Sequence, residues 1–186
     1  MKKMFLVLTA LFVLSINQAF AYNLNNFSDD TKVISALKVL ENTGSDDVFS
    51  RLEKSKTRII FYDLTLISYS YAKHYAVAST DENGNNFILI NEKFKSSPKE
   101  AIACLIAHES VHQLSQATLD EETLATKTEA QCWLKLKDYV NASYQDDLVN
   151  RLNKLATMYN NSNPSQDLIK ISIMNNSFYK EQLALR

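Results

Sequence analysis

The stretch that decides the fold is SPKEAIACLIAHESVH, residues 97–112. It opens with Ser97-Pro98-Lys99-Glu100, where a serine N-cap, a proline at the first helical position and a glutamate three residues after the cap predict the start of a helix. The residues that follow, Ala101 to Ala107, are apolar on every side of such a helix, which is typical of a helix inside a core. The sequence therefore predicts a buried helix over residues 98–116.

The far end of this helix reads His108-Glu109-Ser110-Val111-His112. At about 100° per residue, the two histidines lie about 40° apart on one face and one turn apart along the axis. Two imidazoles can therefore reach one metal ion without bending the backbone, and Glu109 is close enough to act on a bound water. This pattern indicates a zinc hydrolase with His108 and His112 as ligands and Glu109 as base. The alternative is that the histidines cap a buried helix and that Glu109 faces solvent.

The composition excludes several other classes of protein. Gly44 and Gly84 are the only glycines among 186 residues. A dinucleotide fingerprint, a P-loop and a nucleophile elbow each need several glycines, so none of them is present. Twenty basic against 21 acidic residues give a net charge of −1, which is not the electrostatic footprint of a nucleic-acid-binding protein. A hydrophobic content of 46% is enough for a proper core.

Residues 1–21 are typical of a signal peptide. Two lysines precede an apolar run from Met4 to Ile16, and Ala19-Phe20-Ala21 supplies the small-x-small pattern of a cleavage site. The run is too short to span a ~30 Å hydrocarbon core as a helix, although an uncleaved anchor is the alternative. No later stretch is long and apolar enough for a stable membrane span. We therefore expect an exported protein, periplasmic or secreted, with one domain over residues 22–186.

Outside the central helix, the sequence predicts a helix, then strands, then further helices. β-branched and aromatic residues predict strands from Arg58 onward and over residues 75–78 and 87–90. Asn83-Gly84 predicts a hairpin turn between the last two strands. Helices are predicted over residues 29–41, 119–140, 146–160 and 165–180. The predicted fold class is α+β, with a small antiparallel hairpin sheet packed on the buried helix.

Residues from about 85 to 140 resemble the core of a zincin metallopeptidase. The resemblance rests on a strand with the sequence NFILIN, the buried helix that carries HESVH and a second helix that bears acids. The stretch EETLATKTEAQCW, residues 121–133, resembles the glutamate helix of the gluzincin branch. The resemblance implies one Zn²⁺ ion held by the two histidines and a glutamate. It also implies a peptide or protein substrate that pairs along an edge strand ending at Asn91.

Glu122 and Glu129 are the candidates for the third ligand. They are seven residues apart, so they point within about 20° of each other, along an apolar seam where an unpaired carboxylate is costly. Glu122, three residues before Ala125, resembles the Glu-x-x-Ala of many gluzincin glutamate helices, whereas Glu129 resembles the usual gluzincin interval after the second histidine. We choose Glu122 as ligand, with Glu129 as the alternative ligand or as an acid that orients a histidine ring. Glu121 is assigned to a helix-capping box.

Cys104 and Cys132 are the only cysteines. They fall at one level if the helices 98–116 and 119–140 form an antiparallel hairpin. A disulfide is expected because the protein is predicted to be exported, and two buried free thiols are the alternative.

The sequence as a whole predicts an exported zinc-dependent metallopeptidase-like hydrolase. One alternative is a non-catalytic envelope protein with a metal-binding zincin-like fold, and another is a helix-rich envelope protein whose motif is accidental. Tyr139 and Tyr144 are candidates for stabilising the oxyanion. His74 is expected to be a surface histidine or one with its hydrogen bonds satisfied.

Overall fold

A computed structural model describes residues 22–113, 118–141, 143–144, 146–163 and 165–176. The predicted signal peptide and the ends of the predicted helices at 114–116 and 177–180 lie outside these residues. The described helices are α1 (Thr31–Asn42), α2 (Asp46–Ser55), α3 (Lys99–Val111), α4 (Leu119–Leu136), α5 (Asp147–Asn161) and α6 (Leu168–Asn175). The described strands are β1 (Arg58–Tyr62), β2 (Ala76–Thr80) and β3 (Asn86–Asn91). The predicted α+β class is confirmed.

The three strands form a mixed sheet in the order β1-β3-β2. β2 and β3 are the predicted hairpin, and Gly84 takes the positive φ of +81° that its turn requires. β1 pairs with β3 in parallel, so the expectation of an antiparallel sheet alone was wrong. The connection over residues 63–75 is long enough to carry the chain past β3 to the far edge, and sequence patterns do not encode strand order.

β3, the strand NFILIN, therefore lies in the middle of the sheet. Ile88 pairs with Ile59 of β1 on one side and with Ala78 of β2 on the other. The prediction that a substrate pairs along this strand was wrong, because its backbone groups on both sides are already used.

The helices α1 and α2 pack beneath α3. α1 is close to the predicted 29–41, and Asp30 caps it by accepting hydrogen bonds from the N–H groups of Lys32 and Val33. α2 was not predicted from the sequence. Seven of its ten residues are charged or carry a hydroxyl group, so the apolar pattern is too short to be recognised in the sequence.

α3 is the central element of the fold. Every residue from Ala101 to Val111 is buried, as the apolar pattern predicts, and the helix contacts α1, α2, α4, α5 and the sheet. It ends at Val111 with His112 as its C-cap, so the described helix stops before the predicted boundary at residue 116. Each fully buried Leu or Ile stabilises the fold by roughly 1.5–3 kcal/mol.

α4 begins after Thr118, whose side chain accepts a hydrogen bond from the N–H of Glu121. The first turn of α4 lies beside the end of α3, so the two helices pack antiparallel. The described part of α4 ends at Leu136, before the predicted residue 140, and a short 3₁₀ turn over Lys137–Tyr139 follows. α5 and α6 cover the other side of α4. None of the described helices combines the length and the apolar character needed to cross a membrane.

The two cysteines lie on the facing helices α3 and α4, and both are buried. They are free thiols in this structure, so the predicted disulfide is not formed and the alternative of two buried thiols is what is found. Burial, with the neighbouring Cys132 thiol, raises the pKa of Cys104 well above its ordinary value. A protonated thiol in an apolar core is unreactive, because oxidation proceeds through the thiolate.

Candidate metal centre

The facing helices α3 and α4 bring His108, His112 and Glu122 together as a group of possible metal ligands. The Nε2 atoms of the two histidines are 3.2 Å apart. The Glu122 carboxylate oxygens lie 3.7 Å from the Nε2 of His108 and 3.3 Å from the Nε2 of His112. Two ligand atoms that each lie ~2.0–2.1 Å from a tetrahedral zinc ion are separated by about 3.3 Å. The spacing of the three side chains therefore fits a single metal ion.

A carboxylate oxygen lies beside the other nitrogen of each histidine ring, as a hydrogen bond at His112 and as an ion-pair contact at His108. The Nδ1 of His112 lies 2.6 Å from Oε1 of Glu121, and the Nδ1 of His108 lies 3.1 Å from Oε2 of Glu129. Both rings thus direct Nε2 toward Glu122 and toward each other. Histidines that bind metals usually have a carboxylate or carbonyl at the second ring nitrogen, which fixes their tautomer and orientation.

Glu109 is buried, with 6% of its surface exposed, so the alternative in which it faces solvent is wrong. Burial raises the pKa of Glu109, and the nearby His108 and His112 offset only part of this effect. A carboxyl group with a raised pKa is better matched to accepting and returning a proton near neutral pH.

Negative charge dominates the centre. Four carboxylates, those of Glu109, Glu121, Glu122 and Glu129, surround the two histidines, and Glu129 is paired with Arg151. Burial alone would lower the pKa of His112, but Glu122 and Glu109 raise it to about 9. The pKa of His108 is raised in the same way, chiefly by Glu129 against burial. The cluster therefore favours positive charge, which protons or a divalent cation can supply.

The centre opens into a cleft of about 290 Å³. Its lining residues are Lys73, His74, Tyr75, Ala76, Leu105, His108, Glu109, Arg151 and Asn176. His74 stands before β2 and stacks on Tyr71 with the ring centroids 4.6 Å apart. Burial lowers the pKa of His74, so its ring is neutral at pH 7.

Some residues of the site were not found from the sequence. Glu121 was assigned only to helix capping, His74 was expected to be a bystander, and Arg151 was not considered. Tyr139 is 77% exposed and the Tyr144 hydroxyl donates to the carbonyl of Ser96, so neither of the predicted oxyanion candidates lines the cleft. The position of Glu121 nine residues after His112, at the start of the next helix, was the signal for its contact; His74 and Arg151 come from distant elements and leave no local signal.

Comparison of the chain with protein-family models, with curated proteins and with solved structures finds no match. The resemblance of residues 85–140 to zincins therefore stays a prediction from the sequence. The structure adds the distances within the His–His–Glu group and the charges of the residues around it.

Proposed function

We propose that this protein is an exported, zinc-dependent hydrolase of peptide bonds. The observation that carries the proposal is the triangle of His108, His112 and Glu122 at zinc-ligand spacing, with the buried carboxyl group of Glu109 beside it in an open cleft. Export is inferred from the signal-like residues 1–21.

His108, His112 and Glu122 would hold the ion. Two imidazole nitrogens and one carboxylate are a donor set of catalytic zinc sites, in which the fourth position stays open. When bound, zinc acidifies water and polarises a carbonyl oxygen. Glu121 and Glu129 keep the two imidazole rings turned toward the ion through their Nδ1 atoms.

Glu109 is the proposed general base. Its carboxylate takes a proton from the attacking water, holds it in the buried pocket and delivers it to the nitrogen of the leaving amine. Burial, which raises the pKa of this group, makes the second transfer easier than it would be for an exposed glutamate. The carboxyl group returns to its ionised form when the amine leaves, so the step is complete without another residue.

β2 takes the place of β3 as the proposed substrate-binding strand. It lies at the edge of the sheet, and its first residue, Ala76, lines the cleft. An extended peptide can add to such an edge by main-chain hydrogen bonds. His74, two residues before β2 in the same cleft, is the proposed donor to the carbonyl oxygen as negative charge develops on it.

The test is zinc content and hydrolysis measured on the same purified protein. We expect about one zinc per chain, and cleavage of unfolded protein, of a peptide library or of peptides from the bacterial wall. A chelator should abolish the cleavage and added zinc should restore it. His108→Ala should lose both zinc and cleavage, whereas Glu82→Gln in the exposed hairpin turn should change neither. Absence of zinc from the wild-type protein would overturn the proposal, and zinc without turnover would favour the non-catalytic alternative.

A further inference from the structure

Arg151 of α5 reaches the metal centre from outside the α3–α4 pair. Its guanidinium donates two hydrogen bonds to the carboxylate of Glu129, one from each terminal nitrogen, and the bond from Nη2 to Oε2 is 2.8 Å long. Glu129 is fully buried, so this is a bidentate ion pair without water around the carboxylate. The pKa of Glu129 is lowered by Arg151 and His108 in spite of burial, which agrees with an ionised group.

One of the two Glu129 oxygens that accept from Arg151, Oε2, also faces the metal centre. Oε2 of Glu129 lies 3.1 Å from the Nδ1 of His108. A carboxylate clamped at both oxygens by one planar guanidinium cannot rotate about its terminal bond without breaking a hydrogen bond. Arg151 therefore fixes the plane of the Glu129 carboxylate and places its Oε2 against the Nδ1 of His108 as an ion-pair contact.

The other face of the guanidinium is held by the wall of the cleft. The central carbon of the Arg151 guanidinium lies 4.7 Å from the centre of the Tyr75 ring, and Tyr75 in turn stacks on Phe94 with centroids 4.9 Å apart. Arg151 is thus fixed between the sheet side of the cleft and α4. A flat guanidinium can stack and form a two-pronged ion pair at once, whereas a lysine ammonium offers only a point charge.

We infer that Arg151 is a positioning residue of the metal centre: through Glu129 it holds the His108 ring in the orientation that binds the ion. The inference rests on the proposed function, because it presupposes that His108 is a ligand. The competing view is that Arg151 only ties α5 to α4. The two views differ in whether loss of Arg151 changes the metal affinity or only the stability of the fold.

The experiment compares Arg151→Gln and Arg151→Lys with a matched control, Lys127→Gln. Lys127 also joins α4 to a later element, through a 2.5 Å ion pair with the N-cap Asp167 of α6, but the pair touches neither histidine. Zinc affinity is measured on the purified protein by competition with a chelator. The visible spectrum of the cobalt(II)-loaded protein and the melting temperature of the metal-free protein are recorded beside it.

Arg151→Gln should weaken zinc binding by roughly 10–100-fold, the usual effect of losing a partner of a ligand histidine. It should also shift the cobalt spectrum. Arg151→Lys should weaken zinc binding less, and Lys127→Gln should leave the zinc affinity unchanged whatever it does to the melting temperature. In a Glu129→Gln background, Arg151→Gln should cause no further loss, because both changes act on one contact.

Wild-type zinc affinity in Arg151→Gln, together with a loss in Glu129→Gln, would overturn the inference and leave the metal centre intact. Zinc affinity that His108→Ala does not change would instead overturn the proposed function. If Arg151→Gln does not fold, Arg151→Lys is the deciding variant. It keeps the positive charge beside Glu129 but cannot form the two parallel hydrogen bonds. An unchanged cobalt spectrum and an unchanged zinc affinity in this variant would reject the positioning role.

Discussion

The two ends of α3 both lie in the core and yet have opposite energetics. The N-terminal part, Ala101 to Ala107, places aliphatic groups in the core, and each large one stabilises the fold. The C-terminal part places the buried titratable groups of His108 and Glu109 there, next to the half-buried C-cap His112, and each costs free energy unless it is paired. Burial of the apolar half of the helix therefore stabilises the fold, whereas burial of the polar half is unfavourable and is compensated by the rest of the fold. Clusters of titratable groups at such depth are characteristic of functional sites, which agrees with the proposed function.

The first prediction tests the polar end of α3 by removing only the proposed general base, Glu109. Glu109→Gln keeps the shape of the side chain and both histidines, so zinc content should stay near one per chain while hydrolysis falls by roughly 10²–10⁴-fold. The measurement is metal content beside initial rates of peptide cleavage. A Glu109→Gln protein with near-normal rates would contradict the role of this residue as base.

The second prediction separates the two candidate ligands on α4. Glu122→Gln removes the carboxylate whose two oxygens lie 3.7 Å from the Nε2 of His108 and 3.3 Å from the Nε2 of His112. It should therefore weaken zinc binding by more than ~100-fold, beyond the range for the loss of a residue that only orients a ligand. Glu129→Gln touches only the Nδ1 side of His108 and should cost roughly 10–100-fold. Chelator competition ranks the two variants. If Glu129→Gln strips the metal while Glu122→Gln retains it, the assignment is reversed.

These two glutamates also show how much of the site can be predicted from the sequence. The face of α3 that carries His108 and His112, and the seam of α4 that carries Glu122 and Glu129, follow from helical periodicity and one short connection. Contacts made within a helix or between neighbouring helices can be predicted in this way.

The rest of the site depends on contacts that no local pattern encodes. Arg151 reaches Glu129 only because α5 packs on α4, and His74 enters the cleft only because β2 lies at the edge of the sheet. The same reason explains why β3 was mistaken for an edge strand. Pairing of β1 with β3 joins segments about thirty residues apart, and the apolar character of both strands fits several strand orders.

The third prediction tests the apolar end of α3. Ile102 is fully buried, so Ile102→Ala should lower the free energy of unfolding by roughly 2–5 kcal/mol, through lost burial and the cavity left behind. Ile171 on α6 is 40% exposed, and Ile171→Ala should cost roughly 0.5 kcal/mol. Glu109→Gln, measured without metal, should cost less than Ile102→Ala, because relief of the burial penalty on its carboxyl group offsets the lost attraction to His112. Urea unfolding of the three variants gives the comparison, and a costly Glu109→Gln would show that both ends of α3 serve stability.

The smallest expected effect is a pH dependence of the metal-free protein. The pKa of His112 is raised from 6.5 to about 9 by Glu122 and Glu109, which outweigh burial. Because the folded state binds this proton more tightly than the unfolded state, the contribution to stability is complete below pH 6.5 and is lost as the pH rises through 9. The loss should be on the order of 3 kcal/mol for His112, since its pKa is raised from 6.5 to about 9 and one pKa unit corresponds to 1.36 kcal/mol. The pKa of His108 is raised too, which adds to the loss.

Urea unfolding in the presence of a chelator, at several pH values between 6 and 10, measures this dependence. His112→Gln should flatten it, whereas His74→Gln should leave the loss above pH 6.5 unchanged, because burial lowers the pKa of His74 instead of raising it. Saturating zinc should reverse the slope between pH 6 and 8, because the ion needs the neutral imidazole and binds more tightly as protons leave. A metal-free protein whose stability rises between pH 6.5 and 9 would mean that the carboxylates do not hold a charged His112. The polar end of α3 would then need another source of compensation for its burial.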